Sequence, residues 1–216
     1  MKLKKIKSVI FDMDGVLIDS MPYHVKAWEL AFEKYGLKIN SEIIYELEGS
    51  DYKQTVKIIF ERMGGKKVKK QDIEFLGKEQ DKIFNEIVKI KPFDGVVKLL
   101  KILEKKYDLA IVSGSNRKNV EKIVENNFKN VFKVLITGDD TNKSKPDPEP
   151  YLKALIALNI KKNEVIVIEN APLGIQSAKN ANLFCIGLKT YLGDSFLNKA
   201  DIILENHEKL EKYLLN

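Results

Sequence analysis

Residues 9–17, Val-Ile-Phe-Asp-Met-Asp-Gly-Val-Leu, constrain this chain more than any other stretch. A short apolar run bounded by a turn signal reads as a buried strand, and this one ends in two carboxylates, Asp12 and Asp14. Side chains two apart share a face while the backbone stays extended, and Gly15 marks a turn just beyond. Two acids therefore meet at one strand's carboxyl edge, where open α/β sheets bind their ligands. Taken alone, the stretch also fits a strand leading into an ordinary polar turn. Its meaning depends on what the rest of the chain brings to the same edge.

Downstream the chain changes character twice. Ser20 and Pro22 give a helix-start signal, and Val25, Trp28, Phe32 and Tyr35 then recur on one helical face until Gly36. Two more amphipathic segments, about 51–62 and 72–90, are separated by Gly64-Gly65 and the lysine cluster Lys66–Lys70. No strand pattern occurs from Asp19 to Lys91, so this is a helical block. Lys91-Pro92-Phe93-Asp94-Gly95 ends it. Beyond that point helices (96–105, 119–126, 148–158, 173–180) alternate with short apolar strands (109–112, 134–136, 165–168, 184–188). A last apolar run at 202–204 and a closing helix follow. Such alternation predicts an α/β fold with a doubly wound parallel sheet, which the first strand must join to pair its buried backbone groups. The expected organisation is a catalytic core from 1–18 and 92–216, with 19–91 inserted as an all-helical cap above the paired aspartates.

Three further strand ends carry polar groups suited to one anion and one cation. Ser113-Gly114-Ser115-Asn116 is a small-residue turn opening a helix, able to hold phosphate oxygens or simply to cap that helix through Ser115 or Asn116. Ser144-Lys145-Pro146-Asp147-Pro148 places Lys145 in a stiffened turn, either as a point charge for a phosphoryl group or as a solvent-facing lysine. Glu169-Asn170-Ala171-Pro172 offers hard oxygen ligands of the kind Mg²⁺ takes, or another helix cap.

Composition narrows the partners. The net charge of +6 raises nucleic acid as a possibility, but Arg62 and Arg117 are the only arginines. The lysines are spread among acids with no aromatic-interleaved groove, which describes a solvated surface. No run approaches membrane-spanning length, and Met1-Lys2-Leu3-Lys4-Lys5 passes directly into a strand rather than a secretion signal. The expectation is a cytoplasmic, monomeric protein with a small-molecule substrate and neither nucleic-acid nor membrane partner. Cys185, between Phe184 and Ile186, reads as a core thiol.

Taken in order, Asp12-x-Asp14, Ser113, Lys145 and Glu169-Asn170 resemble the haloacid dehalogenase superfamily over nearly the whole chain. The insertion after the first motif resembles the subgroup that includes β-phosphoglucomutase and small sugar-phosphate phosphatases. The resemblance implies a Rossmann-like core in which Asp12 is the nucleophile and forms an aspartyl-phosphate. Asp14 then protonates the leaving oxygen and later takes a proton from water, while Ser113, Gly114 and Lys145 bind phosphate. Mg²⁺ is the implied cofactor, with Asp12, Asp14 (through its carbonyl), Glu169 and Asn170 as ligands. Dehalogenases of the superfamily lack an acid at the second position, so Asp14 argues for phosphoryl transfer.

The sequence departs from the family pattern at two places. A second acid usually follows the one matched by Glu169, and here Asn170 costs the site a negative charge. In the cap, Tyr23-His24-Val25-Lys26-Ala27-Trp28 resembles the mutase segment whose histidine approaches the acid/base, and His24 is either that group or an ordinary surface histidine. Tyr52 stands where a mutase carries a phosphate-gripping arginine, and Gln80 near its second cap cation. The implied function is a Mg²⁺-dependent phosphatase of small phosphorylated metabolites, sugar phosphates first among them, with Asn116, His24 and Tyr52 on the substrate side. The alternatives are a β-phosphoglucomutase-like mutase and, more remotely, a non-enzymatic phospho-acceptor domain, a class without a large helical insertion after its first strand.

Overall fold

In the computed structural model the described residues are 5–64 and 67–215. The basic start at 1–4, Gly65, Lys66 at the head of the lysine cluster, and residue 216 lie outside them. Six strands form one parallel sheet: β1 (Ser8–Phe11), β2 (Asp108–Val112), β3 (Val134–Ile136), β4 (Val165–Glu169), β5 (Phe184–Leu188) and β6 (Ile202–Leu204), in spatial order β3-β2-β1-β4-β5-β6. The chain leaves β1 toward one side of the sheet and returns to its other side at β4. β1 therefore lies at the topological switch point, where the crevice of an open sheet forms.

The strands are apolar on both faces, as a sheet covered by helices on each side requires. Val9, Phe11, Ile111, Ile166 and Ile168 enter one core with helices α5 (Val96–Leu103) and α10 (His207–Leu215). Ile10, Ala110, Val112, Val165 and Val167 enter the other, with α7 (Glu149–Leu158) and α8 (Pro172–Asn180). Cys185 is a fully buried free thiol in that second core.

Between β1 and β2 runs a helical unit: α1 (Met21–Lys34), α2 (Glu42–Glu46), α3 (Tyr52–Arg62) and α4 (Lys70–Ile87). It has its own apolar core, with Val25, Trp28 and Phe32 of α1 packed among Val56 and Ile59 of α3 and Leu76 of α4. No helix among the described residues is long and apolar enough to cross a membrane.

Local differences from the sequence expectation have identifiable causes. β1 ends at Phe11 rather than carrying both acids on extended backbone. Asp12 keeps one ladder bond, its N–H donating to the Ile168 carbonyl at 2.9 Å, but the chain then curls. Leu17 and Ile18 N–H donate back to the Met13 carbonyl at 2.9 and 3.1 Å, and Gly15 takes φ +78°, a conformation that favours glycine. Ser20 does not cap α1; its hydroxyl is diverted to Asp14. Two short helices, α2 and α9 (Asp194–Leu197), carry too few residues to show a period.

Candidate active site

Strand register explains why the site is where it is. Phe11 pairs with Ile111 on one side and Ile168 on the other, so Asp12 is level with Val112 and Glu169 on neighbouring strands. Asp12 and Glu169 continue the face begun by Ile10 and Val167, and both reach the lysine arriving from the turn before α7. Lys145 Nζ donates to Asp12 Oδ1, to Glu169 Oε1 at 2.7 Å and, more loosely, to the Val112 carbonyl at 3.4 Å. All three side chains are buried. Tyr151 of α7 donates from its hydroxyl to Glu169 Oε1 at 2.5 Å, so the lysine's partner is itself fixed.

Asp14 lies in the curled loop and gathers a different set. The Ser20 hydroxyl donates to Asp14 Oδ1 at 2.5 Å and the Ser113 hydroxyl approaches Asp14 Oδ2 at 3.4 Å. His24 Nε2 stands 3.6 Å from Asp14 Oδ1, with its ring stacked on Phe84 at 3.9 Å and Nδ1 facing the Gln80 amide at 3.4 Å. His24 is therefore turned inward against the acid, not outward to solvent. Gly114 supports the cap from below, because a Cβ there would stand 3.3 Å from the Gly49 carbonyl oxygen.

Two of the expected site residues have further partners in the structure. Glu169, expected as a metal ligand, has both carboxylate oxygens engaged, Oε1 by Lys145 and Tyr151 and Oε2 by the Asn170 N–H at 3.2 Å. Its position beside a buried cation makes it the anchor of the lysine. Asn116 lines the cavity but uses its side-chain oxygen to cap α6 (Arg117–Asn127), accepting from the Asn119 N–H at 2.9 Å. Tyr52 opens α3 over the cavity, and its hydroxyl donates to Glu74 at 3.0 Å.

Burial and charge set the protonation states. Burial, reinforced by Glu169 and Asp14, pushes Asp12 up to about 8 against the opposing pull of Lys145. Lys145, which burial alone would depress, is raised by Asp12 and Glu169 and stays an ammonium. Burial works on Asp14 too, but the proximity of His24, the Ser20 hydroxyl and Lys145 outweigh it and hold this carboxyl below its ordinary value. Two adjacent acids are thus driven in opposite directions by their surroundings, Asp12 up and Asp14 down, and Asp12 needs a further positive charge beside it to act as a carboxylate.

The cavity above these groups has a volume of about 650 Å³, within the range of small-molecule sites. Asp12, Asp14, His24, Tyr52, Ser113 and Lys145 line it, whereas Glu169 and Asn170 lie behind the lining. Its roof is the α2–α3 turn. A Cβ on Gly49 would stand 2.6 Å from Lys145 Cδ, and the Ser144 hydroxyl donates to Asp51 Oδ2 at 3.1 Å, so the cap sits closed on the core.

Among the described residues, no three His, Cys, Asp or Glu side chains form a ready metal cage. The donors nevertheless suit a hard cation, because three buried oxygens there lack any partner: Asp12 Oδ2, Asn170 Oδ1 and Glu48 Oε1. Carboxylate and amide oxygens are what Mg²⁺ takes, and unpaired buried polar atoms are costly without such a partner. Glu48 and Tyr151 were not singled out by sequence, and Ser20 was read only as a helix cap. The charge missing at Asn170 was the available signal for Glu48, since it implied a compensating acid elsewhere.

Comparison with known proteins places these features in context. A family profile described as haloacid dehalogenase-like hydrolase matches residues 9–188. The validoxylamine A 7'-phosphate phosphatase of Streptomyces hygroscopicus subsp. limoneus is 31% identical over 202 residues, covering 93% of each chain. The phosphorylated carbohydrates phosphatase of Thermotoga maritima is 29% identical over 180 residues, 82% of each chain. A solved structure from Bacteroides vulgatus, provisionally named a β-phosphoglucomutase, superposes with a TM-score of 0.87 at 32% identity, covering 96% of this chain and 86% of its own.

Proposed function

We propose a reaction for this chain, which belongs to the haloacid dehalogenase-like hydrolase family and is a phosphoric monoester hydrolase: Asp12 attacks the phosphorus of a small sugar phosphate, and water then frees phosphate from the aspartyl ester. The observation that carries this is Asp12 itself, with one carboxylate oxygen gripped by Lys145 and the other without a protein partner at the floor of the cavity. The sugar class is supported by relatives that are named for carbohydrate phosphates.

In the first half-reaction a carboxylate oxygen of Asp12 bonds to phosphorus, the bond to the sugar oxygen breaks, and that oxygen takes a proton from Asp14. The resting Asp14 is a carboxylate, but an arriving phosphate dianion adds like charge beside it and favours its protonated form. In the second half Asp14, again a carboxylate, takes a proton from water, whose oxygen bonds to phosphorus as the bond to Asp12 breaks. Lys145 is anchored to Asp12 and Glu169 and stands ready to donate to a phosphoryl oxygen, as does the Ser113 hydroxyl from the carboxyl end of the neighbouring strand β2. Asp12 and the Asn170 amide oxygen would hold Mg²⁺, which when bound neutralises phosphoryl charge and eases the approach of two anions.

A mutase reading has support in the Bacteroides vulgatus structure and in the contact between His24 and Asp14. A mutase must also grip a second phosphate with its cap. Here Tyr52 is bound to Glu74 and Gln80 faces His24, and Glu74 and Asp81 share that wall with Lys78. Two acids opposing one lysine make a poor second phosphate site, which favours hydrolysis.

The test is phosphate release from a panel of sugar, nucleotide and short-chain phosphates, with and without Mg²⁺. Asp12→Asn should lose at least about 10³-fold in turnover, and the wild type should carry hydroxylamine-sensitive, alkali-labile phosphate on Asp12. Full turnover by Asp12→Asn would overturn the mechanism. Conversion of hexose 1-phosphate to the 6-phosphate with catalytic bisphosphate would establish the mutase instead.

A further inference from the structure

Asn170 offers an oxygen without a charge, and the structure shows what stands beside it. Glu48, in the turn between α2 and α3, extends from the cap onto the core, and its Oε2 accepts from Asn170 Nδ2 at 2.8 Å. Its other oxygen has no partner although the side chain is buried. A Cβ on Gly15 would stand 2.1 Å from Asn170 Nδ2 and 3.1 Å from Glu48 Oε1, so both groups rest against the turn that follows Asp14. Lys145 makes no hydrogen bond to Glu48, because its bonds go to Asp12, Glu169 and the Val112 carbonyl. Three buried oxygens of three residues in this site thus lack a partner, two of them on carboxylates. A buried carboxylate in that position needs a positive partner.

We infer that Glu48 is a divalent-cation ligand delivered by the cap, restoring the negative charge that Asn170 withholds, so that loading the cation and closing the cap are one coupled event. The inference rests on the metal-assisted phosphatase reading above. Asp12 and Asn170 belong to the core and Glu48 to the cap, so only the closed form presents the complete donor set. A cation that binds the closed form more tightly must in turn favour closure, and by the same factor. The roof is built to follow Glu48, since the adjoining Gly49 packs on the Lys145 stem and Asp51 on Ser144.

Titration calorimetry with Mg²⁺, together with small-angle scattering of the same samples, tests this on wild type, Glu48→Gln, Asn170→Asp, the double variant and Asp12→Asn. Glutamine at 48 keeps an oxygen for the Asn170 amide and removes only the charge, and thermal melts confirm that each variant is folded. Glu48→Gln should weaken Mg²⁺ tenfold or more and abolish the cation-induced compaction expected of wild type. The double variant should regain affinity, with a carboxylate back in the core, but not the compaction. Glu48→Gln binding Mg²⁺ within twofold of wild type, while Asp12→Asn loses it, would overturn the role of Glu48 and leave the phosphatase reading standing. Wild type binding no Mg²⁺ would remove both, and binding with no change in compaction would sink the coupling.

Discussion

Lys145 does its work only if its ammonium is aimed, and the aiming is done by a residue outside the cavity lining. Tyr151 is fully buried and its hydroxyl holds Glu169, which holds Lys145, which holds Asp12. Tyr151→Phe removes one donor to a buried carboxylate, a loss of about 1–3 kcal/mol. Denaturant melts should show a drop of that size, and turnover should fall with it because the lysine is less firmly placed. Unchanged turnover and stability would detach Tyr151 from the site. Residues next to strand ends, such as Asp12 and Ser113, were legible in sequence because a strand's end fixes where its last side chains go. Tyr151 was not, since an apolar helical face predicts that a tyrosine is buried but not that its hydroxyl finds a carboxylate. Glu169 shows the limit from the other side: its residue type suits a metal, and only the register beside Asp12 reveals that it also accepts from the lysine.

The α2–α3 turn is the element that ties cap to core. Gly49 there has φ +84°, and a Cβ would stand 2.6 Å from Lys145 Cδ. Gly49→Ala should therefore cost about 1–2 kcal/mol for the left-handed backbone alone and push the roof off the lysine. Its KM should rise and its turnover fall by more than its melting temperature predicts, whereas a loss proportional to stability would make the turn merely structural. Asp51, the cap of α3, accepts from the Lys53 and Gln54 N–H groups while also receiving Ser144, so one side chain both starts a helix and docks it. The alternating strands and helices from 96 onward were readable because each is long enough to show its period. The five residues of α2 are not, and so the turn carrying Glu48 read as an unmarked connection. Which face of the cap meets the core depends on this turn, and no hydrophobic period records it.

At the scale of the whole molecule, the buried centre gathers Asp12, Asp14, Glu48 and Glu169 around one lysine, with His24 beside Asp14, and this excess of negative charge sets how stability depends on pH. Burial and the neighbouring carboxylates raise Asp12 to about 8 and put Glu48 well above its ordinary value. In the unfolded chain both titrate near about 4. Between about pH 4 and about pH 8 the cation-free native state therefore binds more protons than the unfolded state, and stability falls as pH rises through that window. Asp14 acts in the opposite sense: its folded value is depressed, so its contribution is present above the unfolded pKa and lost as pH falls through the folded one. Urea melts in EDTA from pH 5 to 8 should show a decline that Asp12→Asn flattens. Mg²⁺ should offset the decline, adding about 2.7 kcal/mol at a hundredfold excess over its Kd, and adding more at pH 8 than at pH 5 because protons compete for the same oxygens. An EDTA profile that is flat, or as steep in Asp12→Asn as in wild type, would show that the surplus charge is balanced by groups outside this cluster.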